Sequence, residues 1–558
     1  VETICSDKCL FFSNSSHMQP EVIFKNIKDK SRTLVIHYFF PAERNPVVEI
    51  IPSYETNQGL VRNLLGFYES IGKVPIKVRS SYGYAVDPIF EGLCQIAIMC
   101  LERGYGTVKE IDMAAMKTLG LGVGPFTALN LTGGNPITDH GLDVMHEMLM
   151  PWFKSPKSLS NAVKTGEKWD TANRDVYVEV AADKMEVLKN QFLGGYFALA
   201  GFVMDLDICD LSDLDMACEI SLVVKPPFSL MNKIGLNKAL RLVEEFCADH
   251  EGINVPNSLK TAAAAGKWKL NSLTKEVVEN VAVLTIRRPR VLNALNGEVM
   301  NELLGHLESI EKDRQLIGTV LTGFGVKAFV SGADIRVLAA CKTAEEGYAV
   351  SQTFHRVLNK IERLRKPTVC ALNGFAFGGG NELAMACTMR VCKAGLRVAV
   401  CQPEVNLGII PGAGGTQRLP RLIGLEKAAE ILRTGRPISS VEAVEIGLIY
   451  EEIDSDLKTK AADLVRRLAR GSIQVDPIRH APIKDIGTPA EIGLGHLSRK
   501  IDEILCKAIY EGAGMTLTEG LELESTLSGE CVNTEDMRIG VETFMTKGPR
   551  AKAEFVHR

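Results

Sequence analysis

The chain has 558 residues, 46% hydrophobic and 24% charged, a balance that fits several globular domains rather than one core. A formal net charge of −4, with Lys and Arg scattered along the chain, excludes the basic footprint of a nucleic-acid or anionic-membrane binder. No apolar run reaches the roughly 18–20 residues of a bilayer span, so no membrane insertion is expected, and 14 dispersed cysteines without CxxC pairs predict reduced thiols in a cytoplasmic setting.

Residues 1–53 carry three short apolar runs, "CLFF", "TLVIHYFF" and "VVEII", with a helical pattern in "QPEVIFKNIKDK" between the first two. That alternation predicts part of a parallel α/β sheet. The chain begins at Val1, already in mid-structure, and is expected to be a fragment of a longer protein. His37 lies at the end of one strand run and Glu49 in the next, the residue types of a histidine base oriented by a carboxylate.

From 54 the pattern turns helical. "EIDMAAMKTLGLGVGPFTALNLTGGN" matches "DLDMACEISLVVKPPFSLMNKIGLN", pairing Asp112 with Asp215 and Phe126 with Phe228. The match predicts a duplicated helical domain, copy 1 over 54–165 and copy 2 over 166–265, followed by a weakly patterned linker at 266–276.

A domain of different character opens at 277 with "VVENVAVLTIRRP", alternating enough for a hairpin, and then repeats strand, glycine-rich turn and helix to about 480. Residues 481–558 read as helical and charged, a candidate lid or homo-oligomer surface. The predicted fold class is a multidomain α/β and all-α protein.

The chemistry concentrates in three loops of the later domain. After the strand "TVCALNGF" come Gly378, Gly379 and Gly380, where backbone N–H groups can point into open space. "FVSGADIR" offers a second amide at Ala333. Glu382 follows the glycines, and Glu404 precedes the glycine-rich "IIPGAGGTQR". Two amides for an enolate oxygen and two carboxyls for water and carbon protons suit addition of water across a double bond conjugated to a carbonyl, without a metal.

"KAFVSGADI", "NGFAFGGGNELAMAC" and "QPEVNLGIIPGAGGTQRLPRLIG" resemble, in order and spacing, the signature segments of the crotonase (enoyl-CoA hydratase) family. The resemblance implies the crotonase ββα superhelix over 277–480 with a C-terminal helical region. It implies oxyanion-hole amides at Ala333 and Gly379, catalytic acids at Glu382 and Glu404, and coenzyme A thioester binding by Arg336, Phe544 and Lys547. Both acids are present, which favours a hydratase over an isomerase or hydrolase. Those two reactions, on an unusual CoA ester and with the first half of the chain only a scaffold, stay open as alternatives, as does a non-catalytic acyl-CoA-binding subunit.

"SNSSHM", His37, Glu49 and "GKVPIKVRSSYGYAVDPIFEGL" are similar to the 3-hydroxyacyl-CoA dehydrogenase family, from the end of its Rossmann domain into a duplicated helical domain. By that likeness Ser16 binds substrate, His37 is the catalytic histidine and Glu49 its partner. Two positions depart from the family pattern: Phe40 and Asp87 stand where the family has Asn. The glycine-rich turn that would hold NAD is expected upstream of Val1, so this chain as given is expected to bind NAD poorly. The whole resembles fusions with the dehydrogenase module first and the hydratase second, acting on acyl-CoA in β-oxidation.

Overall fold

The computed structural model describes residues 1–558 except Val1, Thr3, Arg174 and Asp175. The chain divides into two compact units, residues 1–270 and 271–558.

The first unit begins with a four-stranded sheet in the order β1 (Phe11–Ser13), β2 (Thr33–Tyr38), β3 (Val47–Pro52), β4 (Val74–Lys77). β2 and β3 are antiparallel and the other neighbours parallel. Two details differ from the sequence reading. The expected helix over 19–30 is only Pro20–Ile23, because the carboxylate of Glu2 takes the amides of Lys28 and Asp29 (2.8 and 3.1 Å). The sheet also does not stop at 53. The helix Gln58–Ser70 carries the chain back to β4, so this α/β layer extends well into the stretch assigned to the helical domain.

The helices after β4 contain the duplication, and the structure shows what the paired aspartates do. Asp112 accepts hydrogen bonds from the Phe126 and Thr127 amides (2.9 and 3.0 Å) at the start of helix Pro125–Thr132. Asp215 does the same for Phe228 and Ser229 (2.7 and 3.2 Å) at helix Pro227–Ile234. Each is a carboxylate from one helix capping the next, which satisfies amides that a helix start leaves unpaired. The repeat runs further than its sequence match. Asn130 exchanges hydrogen bonds with the Trp169 backbone, and Asn232 with that of Trp268. Phe126 and Phe228 each lie 4.8 Å from the matching Trp ring. Copy 1 therefore reaches past 165 and copy 2 past 265.

The second unit opens on the hairpin β5 (Leu273–Val278) and β6 (Val281–Ile286), turning at Glu279 with φ 56°. β5 occupies part of the segment read as linker. Its single buried side chain, Leu273, leaves little apolar pattern to find.

Further along come β7 (Gly318–Gly323), β8 (Ala328–Val330), β9 (Thr368–Leu372), β10 (Phe375–Phe377), β11 (Met389–Lys393), β12 (Val400–Cys401) and β13 (Glu451–Ile453). They form a six-stranded sheet, β13-β11-β9-β7-β6-β5, and a three-stranded sheet, β12-β10-β8. Central strands are buried throughout because both faces are covered. Val283, Val320, Val369 and Val391 pack with the helix Leu457–Ala469, whereas the alternate residues Leu284, Leu321, Cys370 and Cys392 join the main core. The small sheet matters most for function. β8, β10 and β12 run parallel, so the loops leaving all three emerge at one end.

Candidate active sites

Those three loops build the site of the second unit. Beyond β8, Gly332 has φ 121° and Ala333 forms an isolated bridge with Leu295. The bridge uses the Gly332 carbonyl and the Asp334 amide (2.9 and 2.7 Å), so the Ala333 N–H points the other way. The following helix starts only at Ile335, so Ala333 is held by this bridge and not by a helix start.

Beyond β10, each glycine has its own reason. Gly378 has φ 47°, and a Cβ there would lie 2.5 Å from Glu404 Oε1. A Cβ on Gly379 would lie 3.3 Å from the Ala333 nitrogen, which puts the two amide-bearing loops side by side. One on Gly380 would press on the Val330 carbonyl.

The helix Gly379–Met385 is wholly buried and carries Glu382 in its first turn. Glu382 is 2% exposed, and its Oε1 accepts from the Ala413 and Gly415 amides (2.8 and 2.7 Å). Glu404 follows β12 and is 8% exposed; its Oε2 is buried and has no hydrogen-bond partner. Burial pushes Glu404 up to about 8, with the charge of Glu524 adding to it. Burial raises Glu382 well above the carboxylate range, helped by the charges of Glu404 and Glu524 and opposed by its two amide partners. Two carboxyls raised by burial, Glu382 further by the charge of Glu404, can keep a proton at neutral pH where an ordinary carboxylate would not.

Both glutamates, Ala333 and Gly379 line a cavity of about 770 Å³. Phe354, Phe375 and Phe377 supply apolar wall. Arg336 lies on the cavity, but its guanidinium pairs in bidentate fashion with Asp334 (2.8 and 2.6 Å). Phe544 lines the cavity; Lys547, at the end of helix Glu535–Lys547, does not. Arg290 does line it, as do Arg550 and Lys552, just beyond that helix. No sequence pattern marks these two, because they reach the wall only through the fold of the tail.

In the first unit, the register of β2 and β3 sets His37 opposite Glu49. His37 Nδ1 and Glu49 Oε2 are 2.7 Å apart, and Glu49 Oε1 accepts from the Ala85 and Val86 amides (3.1 and 3.2 Å). Glu49 is thus fully engaged and orients the imidazole. Asp87 Oδ2 lies 3.7 Å from His37 Nε2. Ser16 sits in a bend past the carboxyl end of β1.

The sequence reading missed a second pair here: His17 Nε2 and Glu91 Oε1 are 2.9 Å apart. Its signals were present, since His17 follows Ser16 and Glu91 lies one helical turn beyond Asp87. Burial is the largest influence on His37 and opposes its charge, but Asp87 and Glu49 outweigh it and raise His37 to about 9. Burial pushes Asp87 up to about 7; His37 draws it down, while Glu91 and Glu49 add to the rise.

Comparison with known proteins places both units in families. Residues 276–480 match the family model "Enoyl-CoA hydratase/isomerase". The short-chain-enoyl-CoA hydratase of Clostridium acetobutylicum is 35% identical over 280 residues, 50% of this chain and 96% of that protein. The chain belongs to the enoyl-CoA hydratase/isomerase family.

Ahead of this hydratase domain, residues 1–81 match the 3-hydroxyacyl-CoA dehydrogenase NAD binding domain and 83–179 its C-terminal domain. The protein is therefore a hydratase domain joined to a dehydrogenase module, an acyl-CoA β-oxidation architecture. A fatty acid oxidation complex subunit alpha from Shewanella amazonensis is 32% identical over 275 residues, and this chain spans 38% of its length. A solved enoyl-CoA hydratase from Bacillus anthracis aligns with 29% identity over 52% of this chain and 100% of its own, at a TM-score of 0.34.

The matched residues 1–81 hold glycines only at 59, 66 and 72, none in a G-x-G-x-x-G turn. The residues present do not fit the pyrophosphate of NAD, and none is assigned to it. No helix among the described residues is long and apolar enough to cross a membrane.

Proposed function

We propose that the second unit adds water to a trans-2-enoyl-CoA thioester to give the 3-hydroxyacyl-CoA. The observation that carries this is the opening of two buried carboxyls of raised pKa and two adjacent loop amides onto one largely apolar cavity.

The thioester oxygen sits between the N–H groups of Ala333 and Gly379, which stabilise it as it becomes an enolate. Glu382, whose anion is favoured by two amide donors, takes a proton from water as the water oxygen bonds to C3. The C2–C3 π electrons move towards the thioester. Glu404, the carboxyl with a free buried oxygen, gives its proton to C2. Arg550 and Lys552 at the cavity wall face the phosphates of the coenzyme, with Arg336 and Phe544 nearby. The unpaired cysteines suit a reducing, cytoplasmic setting.

We infer that the first unit acts on the 3-hydroxyacyl product, with His37 as its acid–base group, Glu49 orienting it and Ser16 binding substrate. Consecutive reactions explain the fusion.

Crotonyl-CoA added to the full chain should lose its enoyl-thioester absorbance without release of a free thiol. Thiol release would make the domain a hydrolase, and no reaction with any enoyl-CoA of a chain-length panel would remove the hydratase reading.

A further inference from the structure

The loop Gly412–Thr416 is gripped from two sides, and only one side belongs to the reaction as described. Its amides alternate. Those of Ala413 and Gly415 bind Glu382 (2.8 and 2.7 Å), while those of Gly414 and Thr416 bind Glu524 (2.5 and 2.9 Å). Gly414 caps the helix Gly415–Ile423 in left-handed backbone, so the chain turns there and the unpaired amides around the helix start can serve two carboxylates at once. The glycines are needed for this approach: Gly414 has φ 103°, and a Cβ on Gly415 would lie 2.9 Å from Glu382 Oε1.

Glu524 is 0% exposed and lies on the helix Leu517–Cys531. It also accepts from the Thr416 hydroxyl (2.5 Å) and meets His355 Nε2 at 3.0 Å. His355 belongs to the helix Ala344–Glu362, and its Nδ1 lies 3.1 Å from the Ser525 hydroxyl. Ser525 touches the Ser351 hydroxyl (2.9 Å), which donates to the Gly412 carbonyl (2.5 Å). The network therefore ties both ends of the loop to two packed helices.

We propose that Glu524 is a positioning residue of the hydratase: by fixing the Gly414 and Thr416 amides it presents the Ala413 and Gly415 amides to Glu382. This rests on the hydratase reading above. Burying a third carboxylate beside two others is unfavourable unless it is fully hydrogen-bonded, and here three of its partners, the Gly414 and Thr416 amides and the Thr416 hydroxyl, belong to the loop and the fourth is His355. Its charge also adds to the rise of Glu382 and Glu404.

A double-mutant cycle in the full chain tests this, with crotonyl-CoA hydration as the readout and wild-type turnover as the check on the hydratase reading itself. Glu524→Gln, which sets an amide NH2 against backbone N–H groups, should lower kcat by about 10²-fold with KM changed less than about threefold, the scale of a misplaced catalytic group. In the Glu382→Gln background the same change should cost less than about threefold, because the group it positions is already gone. Thr416→Val, which removes one donor to Glu524, should repeat the pattern more weakly and covers the case of a Glu524→Gln chain that does not fold. Equal losses in both backgrounds would make Glu524 a structural residue and overturn the proposal, as would an unchanged kcat.

Discussion

The two units each bury a group of raised pKa, the proposed acid–base group, with opposite electrostatics. In the second unit carboxyls are buried beside other carboxyls, and backbone amides restrain them. In the first, a buried imidazole lies between the carboxyls of Glu49 and Asp87. Burial, with the charge of Glu524 added, pushes Glu404 up to about 8, whereas the carboxyls of Asp87 and Glu49 overcome burial and raise His37 to about 9. Burial alone raises an acid and lowers an imidazole, so the neighbours add to burial in the second unit and oppose it in the first.

The most severe break should come from Glu404→Gln, which removes the proton given to C2. Hydration of crotonyl-CoA is expected to fall by about 10³-fold, while circular dichroism and the first unit's His37 titration stay unchanged. Next is Gly378→Ala. Its Cβ would meet Glu404 Oε1 at 2.5 Å in a backbone of positive φ, and displacing that carboxyl should lower kcat by about 10²-fold, measured by the same assay. A retained rate would show that Gly378 is only a turn.

The pH response sharpens the contrast without breaking either site. Glu404 is active as an acid, so hydration should decline as pH rises through about 8, where the carboxyl loses its proton. His37 should titrate near 9 in an NMR experiment on histidine-labelled chain, its resonance assigned with His37→Gln. In Asp87→Asn one of the two raising charges is lost, so that pKa should move down towards the ordinary imidazole value; an unmoved pKa would mean Asp87 exerts no charge on His37. The linkage sign is that of a raised base: His37 stabilises the fold below its unfolded pKa and that contribution is lost as pH rises through about 9.

The smallest effect belongs away from both sites. Asp215→Ala removes the cap of helix Pro227–Ile234 and should cost about 1–2 kcal/mol of stability in chemical denaturation, with hydration kinetics unaltered.

Much of the hydratase site was legible because its groups are local to three short motifs, and glycine, alanine and glutamate there have few other reasons to occur together in that order. Glu524 was not, since it lies 108 residues beyond Thr416 and nothing around it distinguishes it from the neighbouring glutamates. In the first unit, His37 and Glu49 could be paired from adjacent strands, but the His17–Glu91 pair joins residues 74 apart. The helical repeat was visible as matched letters, while its function, one helix capping the next, required the contacts of Asp112 and Asp215.

The sequence by itself determined the kind of elements and the chemistry-bearing motifs, because strand runs, glycine turns and acid positions are written in consecutive residues. Which amides face Glu382, that Gly378 must yield space to Glu404, that β4 completes the first sheet, and that Arg550 and Lys552 reach the cavity were decided by tertiary structure. Each depends on groups far apart in the chain approaching within hydrogen-bond or contact distance, and no local pattern encodes such a distance.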